Sequence, residues 1–151
     1  MANRAAHLFA SAERHPGKIA VRFEDEAISF GELADRVRNA AASLKAQGIG
    51  KGSHAALMMP SCPDFIVVQQ ALFALGAVVS PINVQYRPGE VAHALASCDI
   101  EHLILPRDYA DRVPQGFAGA VFRDGSDPAG PGDFRLTEVA PSDVVMLLHT
   151  S

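Results

Sequence analysis

The chain has 151 residues, of which 48% are hydrophobic, so we expect one domain, or part of one, over residues 1–151. Its formal net charge of -4 and the lack of a Lys/Arg cluster argue against nucleic acid or an anionic membrane as the main partner. Two cysteines are interpreted as isolated buried thiols in a reducing cytoplasm, and no apolar run is long enough for a signal peptide or a membrane span.

The first third of the chain predicts a helix, a hairpin and a second helix. Apolar residues recur at helical spacing from Asn3 to about Arg14, and an alternating pattern around Val21 and Ile28 predicts two antiparallel strands. Ser29 and Glu32 have the spacing of a capping box, in which each side chain bonds a free backbone N–H group. A long amphipathic helix should therefore begin there and end near Gly48.

The central stretch from His54 to Asn83 predicts a strand, an apolar helix and a strand. Ala55–Met59 and Ala77–Ile82 are short apolar runs. Between them, Ser61 or Cys62 can cap a helix, Pro63 suits its first position, and Gly76 suits its end. Such a unit has parallel strands, and parallel sheets are usually buried on both faces. The fold class is therefore α/β, a mostly parallel sheet with helices on both faces plus the N-terminal antiparallel hairpin.

The last third continues this alternation. Pro88 suits a helix start, His102–Leu105 and Ala118–Phe122 are strand-like, and Asp108–Val113 fits a helical turn or two. Residues 123–133 have the Gly/Pro/Asp density of an exposed loop that could be disordered. The apolar run Val144–Leu148 then predicts a buried strand.

Three stretches together resemble the N-terminal portion of the adenylate-forming superfamily, which includes acyl-CoA synthetases. ISFGELADRVRNAAASLKAQGIGKGS is similar to its opening segment, and AALMMPSCPDFIVVQQALFALGAVVSPIN to its next motif. APSDVVMLLHTS resembles the strand that leads into the phosphate loop, of which the chain contains Thr150 and Ser151. The resemblance covers about Ala5 to Ser151. One departure is Ser53-His54, which replaces the usual Asp-x-Val.

This resemblance implies an ATP-dependent ligase. In the family a carboxylate attacks ATP to give an acyl-adenylate and pyrophosphate, and the thiol of CoA then displaces AMP. The charge that shifts in phosphoryl transfer needs Gly-rich backbone donors, Mg²⁺ and a cationic side chain. The resemblance places these downstream of Ser151, so we expect no catalytic residue in the chain, which by itself should be inactive and bind no cofactor tightly.

The resemblance also suggests candidate binding residues. Thr150 and Ser151 would begin the ATP phosphate loop. Arg87, Arg107 and Arg112 follow predicted strands, where ligands of parallel sheets bind, and a guanidinium pairs well with CoA phosphates. A solvated surface arginine is the simpler interpretation of each. His149 is interpreted as an ordinary strand-end histidine, and His54, His93 and His102 lack the spacing of a metal site.

Two other classes of function remain open. The chain could be a non-catalytic binding or dimerisation module on the same scaffold, and exposed strand edges would then make it a homo-oligomer. An unrelated nucleotide-binding α/β protein is disfavoured because no G-x-G-x-x-G or Walker loop is present. The acyl substrate stays open among fatty, aromatic and short-chain acids.

Overall fold

The computed structural model describes residues 3–128 and 134–149 of the chain. In chain order the elements are α1 (Ala6–Arg14), β1 (Ile19–Phe23), β2 (Glu26–Ser29), α2 (Phe30–Ala46), β3 (His54–Leu57), α3 (Pro63–Ala74), β4 (Val78–Pro81), α4 (Pro88–Ser97), β5 (His102–Pro106), a 3-10 helix (Arg107–Arg112) and β6 (Ala120–Arg123).

The strands form a parallel sheet of order β4-β3-β5-β6 and a separate antiparallel hairpin of β1 and β2. In the parallel sheet Ala56 of β3 pairs with Ser80 of β4 on one side and Leu103 of β5 on the other. The predicted α/β class, with its parallel sheet and N-terminal hairpin, is confirmed.

Both faces of the parallel sheet are covered, because successive side chains of a strand point to opposite faces. Ala55 and Leu57 belong to a core that includes apolar residues of α1, α2 and α3. Ala56 and Leu103 belong to a second core with residues of α4. Helices therefore lie on both faces, as the near-continuous apolar strands predict.

Local signals define the helix ends. The Ser29 hydroxyl accepts a bond from the Glu32 N–H at 3.1 Å, and the Glu32 carboxylate accepts from the Ser29 N–H at 2.9 Å, which completes the capping box of α2. Pro63 is the first residue of α3, while Cys62 holds the N-cap position without a side-chain bond. Gly76 ends this helix with a φ of 74°, in the left-handed region that favours glycine.

The predicted buried strand at Val144–Leu148 is wrong. The segment makes one isolated parallel bridge, from Met146 to Val79 of β4, and Val144 and Leu148 are 54% and 71% exposed. The apolar run suggested an interior strand because parallel strands usually have neighbours on both sides. Here β4 lies on one side, and no described element lies on the other.

Two further predictions about burial need correction. Cys62 and Cys98 are free, as predicted, but half-buried rather than fully buried, since each lies at a helix end. Arg123, which the sequence assigns to an exposed loop, is the last residue of β6 and is 6% exposed. Residues 129–133 of that loop lie outside the described residues. No helix in the described ranges is long and apolar enough to cross a membrane.

Candidate functional site

An open groove lies at the carboxyl end of β4, where parallel sheets bind ligands. Its lining residues come from the loop that follows β4 and from the start of α4: Asn83, Gln85, Tyr86, Arg87, Gly89 and Glu90. The loop is shaped by Asn83, whose side-chain oxygen accepts a bond from the Gln85 N–H at 2.9 Å. The Glu90 carboxylate accepts from the Arg87 N–H at 2.8 Å, which fixes the entry into α4.

His149 brings the C-terminal segment to this groove. Its ring meets the Tyr86 ring edge-on, with centroids 6.2 Å apart, and the His93 ring of α4, with centroids 5.7 Å apart. The histidine interpreted from sequence as ordinary therefore packs in an aromatic cluster beside the groove. Thr150 and Ser151, the predicted start of the phosphate loop, lie outside the described residues.

The three candidate arginines do not form one site. The Arg112 guanidinium donates to the Val84 carbonyl and lies 5.0 Å from the centre of the Tyr109 ring, so it holds the loop that follows β4. Arg107 lies over the Phe122 ring of β6, at the opposite edge of the sheet. Arg87 is exposed in the groove wall. Arg112, at the end of the 3-10 helix, and Arg87, at the start of α4, thus both lie at the loop that follows β4, whereas the Arg107 side chain packs on β6.

A buried ionic cluster lies elsewhere in the fold. The Arg123 guanidinium donates to the Asp64 carboxylate at 2.8 and 3.2 Å and to the Asp127 carboxylate at 2.6 and 2.9 Å. The three side chains are 4%, 17% and 7% exposed, respectively. Asp64 belongs to the first turn of α3, directly after the turn that follows β3. The cluster therefore ties that turn to the end of β6.

The charge of Arg123 is secure. Burial lowers the pKa of its guanidinium, but the hydrogen bonds and charges of Asp64 and Asp127 together raise that pKa above its ordinary value. Sequence reasoning missed the cluster because it ended the strand at Phe122. The alternation of side chains along a strand could have predicted the burial, because it puts Arg123 on the same buried side of β6 as Val121.

The described residues offer no obvious site for Mg²⁺. Among them, no three His, Cys, Asp or Glu side chains are grouped so that they could hold a metal ion. Asp64 and Asp127 are already occupied by Arg123. We therefore assign no Mg²⁺ ligand within residues 3–128 and 134–149.

Sequence comparison decides the family. The profile of a family described as AMP-binding enzyme matches residues 8–151. The chain belongs to this family. It is similar to the medium/long-chain-fatty-acid–CoA/3-oxocholest-4-en-26-oate–CoA ligase of Mycobacterium marinum, with 28% identity over 74% of the chain and 22% of the relative. It is also similar to the crotonobetaine/carnitine–CoA ligase of Proteus mirabilis, with 33% identity over 64% of the chain and 20% of the relative.

Solved structures of the same fold agree. The N-terminal subdomain of NpsA from Klebsiella oxytoca, in complex with 3-hydroxybenzoyl-AMSN, superposes with a TM-score of 0.85 at 22% identity, over 100% of this chain and 38% of that one. A fatty acyl CoA synthetase from Mycobacterium tuberculosis gives a TM-score of 0.85 at 24% identity, over 100% and 33%. The chain thus has the fold of the matching N-terminal regions of these proteins, and it spans about a fifth of the length of the curated relatives quoted.

Proposed function

We propose that residues 1–151 form the N-terminal portion of the AMP-binding domain of an ATP-dependent acyl-CoA synthetase. The whole enzyme would join a carboxylic acid to ATP, releasing pyrophosphate, and then pass the acyl group from AMP to the thiol of CoA. The observation that carries the proposal is the family match over residues 8–151. The names of the relatives, which are CoA ligases, support this reaction over other uses of the fold.

The proposed role of this portion is to provide scaffold and one wall of the substrate site. The packing of His149 against Tyr86 and His93 supports this role, because it holds the residue before Thr150 beside the groove. Thr150 and Ser151 would then begin the ATP phosphate loop at the carboxyl end of the sheet. We further propose that the 151-residue chain alone is inactive and binds ATP, Mg²⁺ and CoA at most weakly, because the reaction needs more phosphate-binding groups than these two residues supply.

Exchange of labelled pyrophosphate into ATP tests the proposal directly. The 151-residue chain and the product of the complete reading frame that contains it are each incubated with fatty, aromatic and short-chain acids. We expect acid-dependent exchange, and CoA thioester by mass spectrometry, from the complete product and none from the chain alone. If the protein from the complete reading frame gives neither pyrophosphate exchange nor CoA thioester, the ligase proposal is refuted. If the 151-residue chain alone gives exchange, the proposed inactivity of that chain is refuted.

The alternative, a non-catalytic binding or dimerisation module, is favoured by one observation. Val144 and Leu148 expose large apolar surfaces next to β4. Sequencing the complete reading frame that contains this chain separates the two proposals. A frame that stops at Ser151, or that continues without a Gly-rich Ser/Thr loop, would support the module and contradict the synthetase.

A further inference from the structure

The loop of residues 83–87 joins β4 to α4 and lines the groove. Among the described residues, no backbone N–H group donates to the Val84 carbonyl in this loop. The Arg112 guanidinium donates to that carbonyl instead. Because Arg112 ends the 3-10 helix that directly follows β5, its bond ties the loop after β4 to the segment after β5, at the same edge of the sheet.

Arg112 is itself held from a second side. Its guanidinium lies over the Tyr109 ring, 5.0 Å from the ring centre, which is a favourable cation–π distance. Val84, Tyr86 and Tyr109 all pack against the same apolar core, which includes residues of α4. The Asp111 carboxylate, 3.9 Å from Arg112 and 79% exposed, adds little. A planar guanidinium that lies over a ring keeps its N–H groups in a fixed direction, so Arg112 can fix the position of the Val84 carbonyl.

The loop in turn places Tyr86 beside the C-terminal segment. Tyr86 is two residues after Val84, and its ring meets the His149 ring edge-on, with centroids 6.2 Å apart. His149 directly precedes Thr150, the proposed start of the phosphate loop. A continuous set of contacts therefore runs from Arg112 through Val84 and Tyr86 to the residue before Thr150.

We infer that Arg112 is a positioning residue of the ATP site, which holds the loop of residues 83–87 so that Tyr86 orients His149 and the phosphate-binding segment that follows. The inference rests on the proposed function. Arg112 would not touch ATP. It would keep the donors of that segment where phosphate charge develops, because a displacement of about 1 Å in such a site can cost about 100-fold in rate. This role differs from a direct contact with a CoA phosphate, which would act only in thioester formation.

Pyrophosphate exchange separates these roles because it reports adenylate formation without CoA. In the protein from the complete reading frame, Arg112→Met removes the guanidinium and should raise the KM for ATP about 10-fold, while the KM for CoA in thioester formation stays unchanged. Arg112→Lys keeps a cationic donor, which suffices for one carbonyl, and should bring the KM for ATP to within about 3-fold of the wild-type value.

Arg38→Met is the matched control for these measurements. The Arg38 guanidinium also lies 5.0 Å from a ring centre, that of Phe9, but Phe9 belongs to the core on the other face of the sheet. Arg38 also has an acidic partner, Asp35, as Arg112 has Asp111. The variant should therefore leave the KM values for ATP and CoA unchanged.

Hydrogen exchange measured by mass spectrometry reads the loop itself and needs no activity. In the complete protein, Arg112→Met should increase deuterium uptake in peptides that cover residues 83–90 and 144–149, whereas Arg38→Met should not. The Tyr86 N–H, which donates to the Asn83 carbonyl at 3.1 Å, is one of the amides that should lose protection. Peptides of α2, on the other face of the sheet, should keep their uptake in Arg112→Met, which shows that the fold is intact.

Each measurement has a result that would overturn the inference. An unchanged KM for ATP, or unchanged uptake in residues 83–90, would show that Arg112 does not position this segment. A KM that rises for CoA alone would assign it a direct CoA contact, and a lower kcat with unchanged KM values would leave it a role in stability only. If Arg112→Lys is as impaired as Arg112→Met, the bond to Val84 is not what holds the loop.

The proposed function fails in a different way. It fails if the complete wild-type protein gives no acid-dependent pyrophosphate exchange, and the role of Arg112 in binding ATP then fails with it. The comparison of deuterium uptake between Arg112→Met and Arg38→Met still decides in that case whether Arg112 holds the loop. Wild-type exchange with no change of the KM for ATP in Arg112→Met would refute this inference alone.

Discussion

Replacing Arg123 by methionine is the sharpest test of the packing between α3 and β6. The substitution keeps an unbranched side chain but removes the four donor contacts of 2.6 to 3.2 Å to Asp64 and Asp127. Two carboxylates that are 17% and 7% exposed would then lie together without a cation. Breaking a buried ion pair in this way costs about 3–5 kcal/mol, a large part of the roughly 5–15 kcal/mol that stabilises a domain.

The cost should depend on which partner is removed. The cluster has one cation and two carboxylates, so Asp127→Asn leaves the Arg123–Asp64 pair intact and should cost only about 1–2 kcal/mol. The triple variant Arg123→Met, Asp64→Asn, Asp127→Asn removes both unpaired charges and should recover about 2 kcal/mol of the loss. Arg36→Met is the matched control, because its ion pair with Glu26 is 45% exposed on both sides and should contribute less than about 0.5 kcal/mol.

Urea unfolding followed by circular dichroism gives the free energies of unfolding. The comparison requires that the slope of the unfolding free energy against urea concentration is the same in each variant. An unchanged slope shows that unfolding exposes the same surface area in each variant. If Arg123→Met costs less than about 1 kcal/mol, or if it costs no more than Arg36→Met, the interpretation of a buried, tightly bonded cluster is wrong.

Four other substitutions test single features of the fold and site. Gly119→Ala should cost about 2–3 kcal/mol in urea unfolding, because its Cβ would clash with the backbone carbonyl oxygen of Glu101; an unchanged midpoint would contradict this contact. Ser80→Ala should raise the free energy of unfolding by about 1 kcal/mol, because its buried hydroxyl has no hydrogen-bond partner among residues 3–128 and 134–149, and a loss of stability would contradict this. Ser29→Ala should lower the free energy of unfolding by about 1 kcal/mol through loss of the α2 cap, and an unchanged value would contradict the role of that cap. If the complete protein is the proposed synthetase and Arg87 contacts CoA, Arg87→Ala should raise the KM for CoA about 10-fold and leave the KM for ATP unchanged, with Arg22→Ala as control; an unchanged KM for CoA would contradict the proposed contact.

Most of the elements are determined by short-range signals in the sequence. The capping box of Ser29 and Glu32, the Pro63 start and Gly76 end of α3, and the apolar period of each strand act within a few residues of one another. Two buried strands joined by an apolar helix also predict a parallel sheet before any coordinates are known. These features need no knowledge of distant contacts, and the structure has all of them.

Burial and pairing at the sheet edges depended on contacts between residues far apart in the chain. Arg123 is buried because Asp64, 59 residues away, receives its guanidinium, and no local pattern contains that partner. Val144 and Leu148 look like core residues in sequence, yet they are exposed because, among the described strands, only β4 pairs with their segment. An apolar residue is buried only where other elements cover it, and the order β4-β3-β5-β6, set by tertiary packing, determines which edges remain open.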